Sequence, residues 1–124
     1  NVNNVEIKNV INAEQILNYQ KSLFNIPVPD SVYSYAVGLV RKTRPNTKNC
    51  PEEISKFIDF GAGPRASQYL ILGAKMNAIL NGKLTPDIED VRSVSFDVLR
   101  HRVVKNYKAE AEGISVEELI KNLF

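Results

Sequence analysis

No stretch of this chain alternates apolar and polar side chains for long enough to build a sheet. Its apolar residues recur at helical spacing, in segments punctuated by Pro27, Pro29, Pro45, Pro51, Pro64 and Pro86. A proline inside a helix removes a hydrogen bond and clashes with the turn before it. At the first helical position it is tolerated, because the N–H it lacks would have had no partner there. Helical periodicity between such stops leaves an all-α fold, a bundle of about five or six helices around one core. The 124 residues suffice for one domain of that kind.

Val5 to Ile11 reads as an extended lead-in, and beyond a stray strand near Val5 no sheet is expected. Asn12 is a plausible N-cap with Gln15 at the capping-box position, and Ile16, Leu17, Leu23 and Phe24 are expected on a buried face. The two prolines of NIPVPD make a rigid link, and Asp30 is expected to cap a second helix carrying Val32, Tyr35, Ala36, Leu39 and Val40. That helix stops near Thr43, because Arg44 precedes a proline. After the polar loop RPNTKNCP, the segment PEEISKFI makes a short helix that FGAG ends. Pro64 starts the next helix. Its Ala66, Tyr69, Leu70, Ala74, Met76, Ile79 and Leu80 mark it as central, and Gly73, Ala74 and Ala78 permit a close neighbour. NGK at Asn81 closes it. Thr85 is expected to cap a further helix, with Pro86 at its first position. An apolar face runs through Ile88, Val91, Val94, Val98 and Leu99, with a break near Ser93, and on to Val103, Val104 and Tyr107. In GISVEELIKNLF, Ser115 caps, Glu118 completes the box and Ile114 staples to Leu119.

Composition removes several classes of function. Charged residues make up 24% and hydrophobic ones 44%, a globular balance. A net charge of +2, with no basic block, argues against a nucleic-acid partner. One cysteine and one histidine exclude an internal disulfide and leave almost no room for a structural zinc site. No apolar run approaches the roughly 18 residues of a membrane span. NVNNVEIKNV has no signal-peptide pattern and no initiator methionine, so the chain reads as part of a longer cytoplasmic protein.

The chain contains no phosphate-cradling GxxxxGK[ST] loop, no HExxH and no nucleophile elbow. Cys50 and His101 could pair as nucleophile and base, but no third group supports this. A loop thiol and a hydrogen-bonded helix-end histidine are the plainer readings. The five tyrosines read as aromatics at the core edge. Gly61-Ala62-Gly63-Pro64-Arg65 carries more chemistry. Structurally, two glycines end one helix, Pro64 starts another, and Arg65 finds Asp59 or another acid. Functionally, Gly61 and Gly63 let a ligand approach the backbone. The helix start then offers N–H groups, and Arg65 adds a planar cationic fork suited to phosphate.

GAGPRAS before an apolar helix, then LTPDIEDVRSVSFDVLRHRVV, then AEAEGIS, resembles the C-terminal lid domain of MoxR-type AAA+ ATPases. That family reads G-A-S-P-R-A, a helix, T-P-E-D-V, L-R-H-R and E-A-x-x-E-G in this order. The resemblance covers Asn12 to Phe124, and Gly63 stands where the family often has serine. It implies a lid at 12–124, with residues 1–11 leading in from an N-terminal AAA+ core. It implies that Arg65 is the sensor-2 arginine reaching the terminal phosphates of ATP, with Gly61, Gly63 and Pro64 as its supporting loop. It further implies ATP and Mg2+ as cofactors of the longer protein and a homo-oligomeric ring, commonly a hexamer. Partners with von Willebrand A domains are implied as well. Walker A, Walker B and sensor 1 do not occur in this sequence, so the lid alone is not expected to hydrolyse ATP and holds no complete catalytic set.

Leu99 to Arg102, LRHR, has two readings. Arg100 and Arg102 pair with acids such as Glu110 or Glu112, or the segment meets the core or a neighbouring subunit. Two other classes stay open for the chain. One is a helix-turn-helix nucleic-acid module, opposed by Asp87, Glu89, Asp90 and Asp97, which would repel phosphates. The other is a free-standing protein-interaction domain.

Overall fold

A computed structural model describes residues 4–124. Seven helices and two short strands follow one another: α1 Ala13–Phe24, α2 Asp30–Lys42, α3 Glu52–Ser55, β1 Ile58–Phe60, α4 Arg65–Leu80, α5 Ile88–Leu99, β2 Val104–Lys105, α6 Tyr107–Ala111 and α7 Val116–Lys121. The all-α expectation holds, and the helix beyond the expected six is α6, five residues long. α3 stops at Ser55, short of the expected PEEISKFI span, because Ile58 to Phe60 pair as β1. The sheet, however, does not lie near Val5. β1 runs antiparallel to β2, with Ile58 opposite Lys105 and Phe60 opposite Val104, and the register is irregular between them. Asn106 extends the junction: its backbone N–H donates to the Phe57 carbonyl and its side chain to the Lys56 carbonyl. Val103 and Val104 therefore do not prolong α5, which ends at Leu99.

The helix starts show which local signals prevail. Asn12 and Gln15 form the reciprocal capping box at α1, at 2.9 and 3.0 Å. Ser115 accepts the Glu118 N–H at α7, without the return arm of a box. At α2, Pro29 occupies the cap position and Asp30 is already helical, where its charge still suits the positive end. At α5 the cap is Asp87 in place of Thr85, because Asp90 lies three residues on and closes a reciprocal box. No break occurs near Ser93: its hydroxyl bonds the Glu89 carbonyl one turn back, and α5 continues. α4 ends in a Schellman turn. Gly82 takes the left-handed conformation, and the N–H groups of Gly82 and Lys83 donate to Ile79 and Ala78.

The core forms around α4. Ala66, Leu70, Ala74 and Ala78, four residues apart, make one fully buried stripe. α4 packs most extensively on α5 and next on α2, and α5 in turn touches α2 and α7. The close approach expected of Gly73 is present, since a Cβ there would lie 3.1 Å from Val94 Cγ2. Leu39, Val40, Val91, Leu99, Leu119 and Ile120 complete the interior. α1 departs from expectation. Only its Leu23 is buried, while Ile16, Leu17 and Phe24 are exposed. Helical periodicity shows that α1 has an apolar face, and nothing in the period decides whether another element covers it.

Candidate functional site

The GAGPR segment crosses from β1 to α4 over the C-terminal end of α2. Ala62, 1% exposed, is held by two neighbouring side chains from that helix end. Its N–H donates to Thr43 Oγ1 at 2.9 Å, and its carbonyl accepts from Arg44 Nε at 3.2 Å. The Thr43 hydroxyl donates in turn to the Val40 carbonyl at 2.6 Å. Gly61 lies against the same place: a Cβ there would stand 2.4 Å from the Thr43 carbonyl oxygen and 2.8 Å from Arg44 Cα. Backbone atoms that close leave no route for relaxation short of moving the loop. Gly61 is thus required by packing, whereas a Cβ on Gly63 would meet open space.

Pro64 takes the cap position and Arg65 opens α4. Arg65 is exposed, and among the described residues its guanidinium makes no ion pair and no hydrogen bond. The expected partnership with Asp59 is absent. The helix start offers less of an N–H cradle than the sequence implies, because Ala66 and Ser67 already donate to the Gly63 and Pro64 carbonyls. Any attraction for an anion therefore rests on the guanidinium. Beside it, Arg41, Arg44, Val40, Pro64 and Ser67 line a groove of about 360 Å³. Neither Arg41 nor Arg44 has an acid within 4 Å among the described residues.

LRHR comes to the same helix by a different contact. The Arg102 guanidinium lies 4.8 Å from the ring centre of Tyr69, one helical turn beyond Arg65, and donates to the Val98 carbonyl at 2.6 Å. Arg102 has no acid partner among the described residues. Arg100 pairs with Glu117 at 2.7 Å and loosely with Asp97, and Glu110 is taken by Lys105. Glu110 and Glu112 are not the partners of this segment, because the turn into β2 carries them away from it. His101 is exposed and its Nε2 meets Arg102 Nη1, the helix-end hydrogen bond expected of it. Leu99 belongs to the core.

Cys50 and His101 are not brought together. Cys50 is buried, its polar neighbours are the Pro51 carbonyl and Ser55, and burial pushes its thiol above the ordinary value. The unfolded thiol ionises at lower pH than the folded one. In the folded chain Cys50 is expected to react with iodoacetamide at pH 8 at least about tenfold more slowly than in the denatured chain. Equal rates, followed by mass spectrometry, would show an accessible thiolate. Of the tyrosines, Tyr35 packs on the core, while Tyr19, Tyr33, Tyr69 and Tyr107 are exposed. Among the described residues no group of three His, Cys, Asp or Glu could hold a metal ion. Among the described residues no helix is long and apolar enough to cross a membrane. Thr43 and Arg44 are the site residues that sequence reasoning misses. They stand 19 and 18 residues before Ala62, and no periodic signal links positions so far apart.

Comparison with known proteins shows the family of the chain. The AAA lid domain family matches residues 52–123, which hold β1, the GAGPR loop, α4, α5 and everything after them. Chaperone MoxR1 of Mycobacterium tuberculosis is 32% identical over 118 residues, 95% of this chain and 31% of that protein. YeaC of Bacillus subtilis is 26% identical over 114 residues, 92% of this chain and 33% of that protein. The crystal structure of a candidate ATPase from Cytophaga hutchinsonii superposes with a TM-score of 0.78 at 31% identity, covering 89% of this chain and 33% of its own. The chain thus spans about a third of the length of these relatives. With motif order, helical architecture and matched segment in agreement, the chain belongs to the AAA lid domain family.

Proposed function

We propose that this chain is the sensor-2 lid of a MoxR-type AAA+ ATPase and that Arg65 contacts the terminal phosphates of bound ATP. The observation that carries the reading is an exposed arginine with no acid partner among the described residues, standing where the GAGPR loop enters the central helix. A guanidinium left without an acid keeps its paired donors for an external anion, and phosphate matches that fork. Pro64 and Gly63 support the contact by setting the start of α4 and leaving the space beside it open. ATP would supply the triphosphate that the lid closes over. Its magnesium ion would take protein ligands from the AAA+ core. The reading extends to a homo-oligomeric ring, a hexamer, remodelling partner proteins in the cytoplasm. A partner with a von Willebrand A domain rests on the family resemblance.

The test is Arg65→Ala in the ATPase that carries this lid. Turnover or ATP affinity is expected to fall by about tenfold or more, the size of one lost charge-assisted contact. Arg65→Lys should restore part of it, since it keeps the charge and loses the fork. The melting temperature of the 124-residue chain should hardly change, because Arg65 supports none of the core. The same chain by itself should release no phosphate from ATP. Unchanged kinetics in the Arg65→Ala enzyme would overturn the reading.

A further inference from the structure

We infer that Thr43 and Arg44 are positioning residues for Arg65, coupling the C-terminal end of α2 to the phosphate contact. The inference rests on the reading of Arg65 given above. α4 begins with no side-chain cap, and its first turn is held by the Ala66 and Ser67 N–H groups on the Gly63 and Pro64 carbonyls alone. The preceding loop contains Gly63, where a Cβ would meet open space. What fixes the approach to Arg65 must therefore lie upstream, and there both polar groups of Ala62 are taken. Thr43 Oγ1 accepts its N–H, and Arg44 Nε donates to its carbonyl.

The clamp has little freedom of its own. Thr43 is 0% exposed, and its hydroxyl is used in both directions, donating to Val40 and accepting from Ala62. Gly61 seats the loop backbone directly on the Thr43 carbonyl. Two residues, Gly63 and Pro64, separate Ala62 from Arg65, and Pro64 restricts one of the intervening dihedrals. A displacement of the end of α2 is therefore passed to the Arg65 backbone, from which its side chain reaches outward, because the loop between has only Gly63 to absorb it. Arg44 spends only Nε on the clamp. Arg44 also lines the groove with Arg41, and its side chain is only partly buried.

A double-mutant cycle in the ATPase carrying this lid tests the coupling. Thr43→Val keeps the shape and removes the hydroxyl, and Thr43→Ser restores the hydroxyl. Arg44→Lys keeps the charge and loses Nε. Each is made alone and with Arg65→Ala, and kcat and KM for ATP are measured with the melting temperature. Thr43→Val and Arg44→Lys are expected to lower kcat/KM about five- to tenfold, and Thr43→Ser to recover to within about twofold. In the Arg65→Ala background neither should cause further loss, since residues acting through one group are not additive. Losses that multiply with that of Arg65→Ala, or well-folded variants with unchanged kinetics, overturn the inference and leave the Arg65 reading standing. An Arg65→Ala enzyme with unchanged kinetics overturns both. Where Thr43→Val fails to fold, Arg44→Lys decides by the same criteria, because its side chain is only partly buried.

Discussion

Leu70→Ala is expected to lower the unfolding free energy of this chain by about 2–5 kcal/mol. Leu70 is 0% exposed and sits in the buried stripe of α4, where Ala66, Ala74 and Ala78 are its neighbours. It is the one large side chain in that row, so its removal leaves a hole that no neighbour on α4 can fill. Collapse from the other side is hindered where α5 already touches α4 through Gly73 and Val94. Alanine's better helix propensity returns only a few tenths of a kcal/mol. Urea unfolding of the 124-residue chain reads the effect, with Leu80→Ala as the control. Leu80 is 77% exposed on the same helix, and its truncation should stay within about 0.5 kcal/mol. A Leu70→Ala midpoint close to that of the parent chain would mean that α4 is not the centre of the core.

Asp90→Ala is expected to cost about 2–4 kcal/mol, because this buried carboxylate joins three partners. It accepts from Asn77 of α4 at 2.8 Å and from the Asp87 N–H at 2.8 Å, and it meets Lys83 at 2.6 Å. Its side chain is 3% exposed and that of Lys83 is 38% exposed. Lys83 can return to water, so most of the cost falls on the Asn77 amide and the lost box at α5. The hydrogen bond to Lys83 holds Asp87 below its ordinary 3.8, with the Asp90 N–H adding to it. Its contribution is full above about pH 4 and disappears as pH falls through the lower folded value. Lys83 is raised above 10.5, first by Asp90 and then by Asp87, so its contribution is full below 10.5 and lost as pH rises through the higher folded value. Unfolding midpoints across pH should fall at both ends in the parent chain. Asp90→Ala should flatten the alkaline end, and Asp87→Asn the acid end. An Asp90→Ala chain with the parent midpoint and the parent alkaline slope would show that the cluster does not join α4 to α5.

Much of the helical framework is written locally. Asn12 with Gln15, Ser115 with Glu118, Arg44 before Pro45 and Pro64 before Arg65 each act over a span of four residues or fewer, and each marks an element end as expected. Asp87 with Asp90 is equally local and could have been read in place of Thr85. Arg65 as the residue to watch was legible too, through its loop and its proline. The sequence by itself therefore determined every helix described except α6, most of their ends and the central place of α4, and it singled out Arg65 as the candidate. The tertiary structure alone decided the rest. β1 and β2 have three and two residues, too few to show a period, and exist because Ile58 finds Lys105 and Phe60 finds Val104. The apolar face of α1 is plain in its spacing, yet it is largely uncovered, since amphipathicity does not specify a partner. Arg65 stands without an acid among the described residues, although Asp59 lies only six positions before it. Ala62 is fixed by Thr43 and Arg44 only because α2 ends where the loop passes. Hydrogen bonds within one turn are set by residue type and spacing, whereas contacts across the chain depend on where the packed helices bring the backbone.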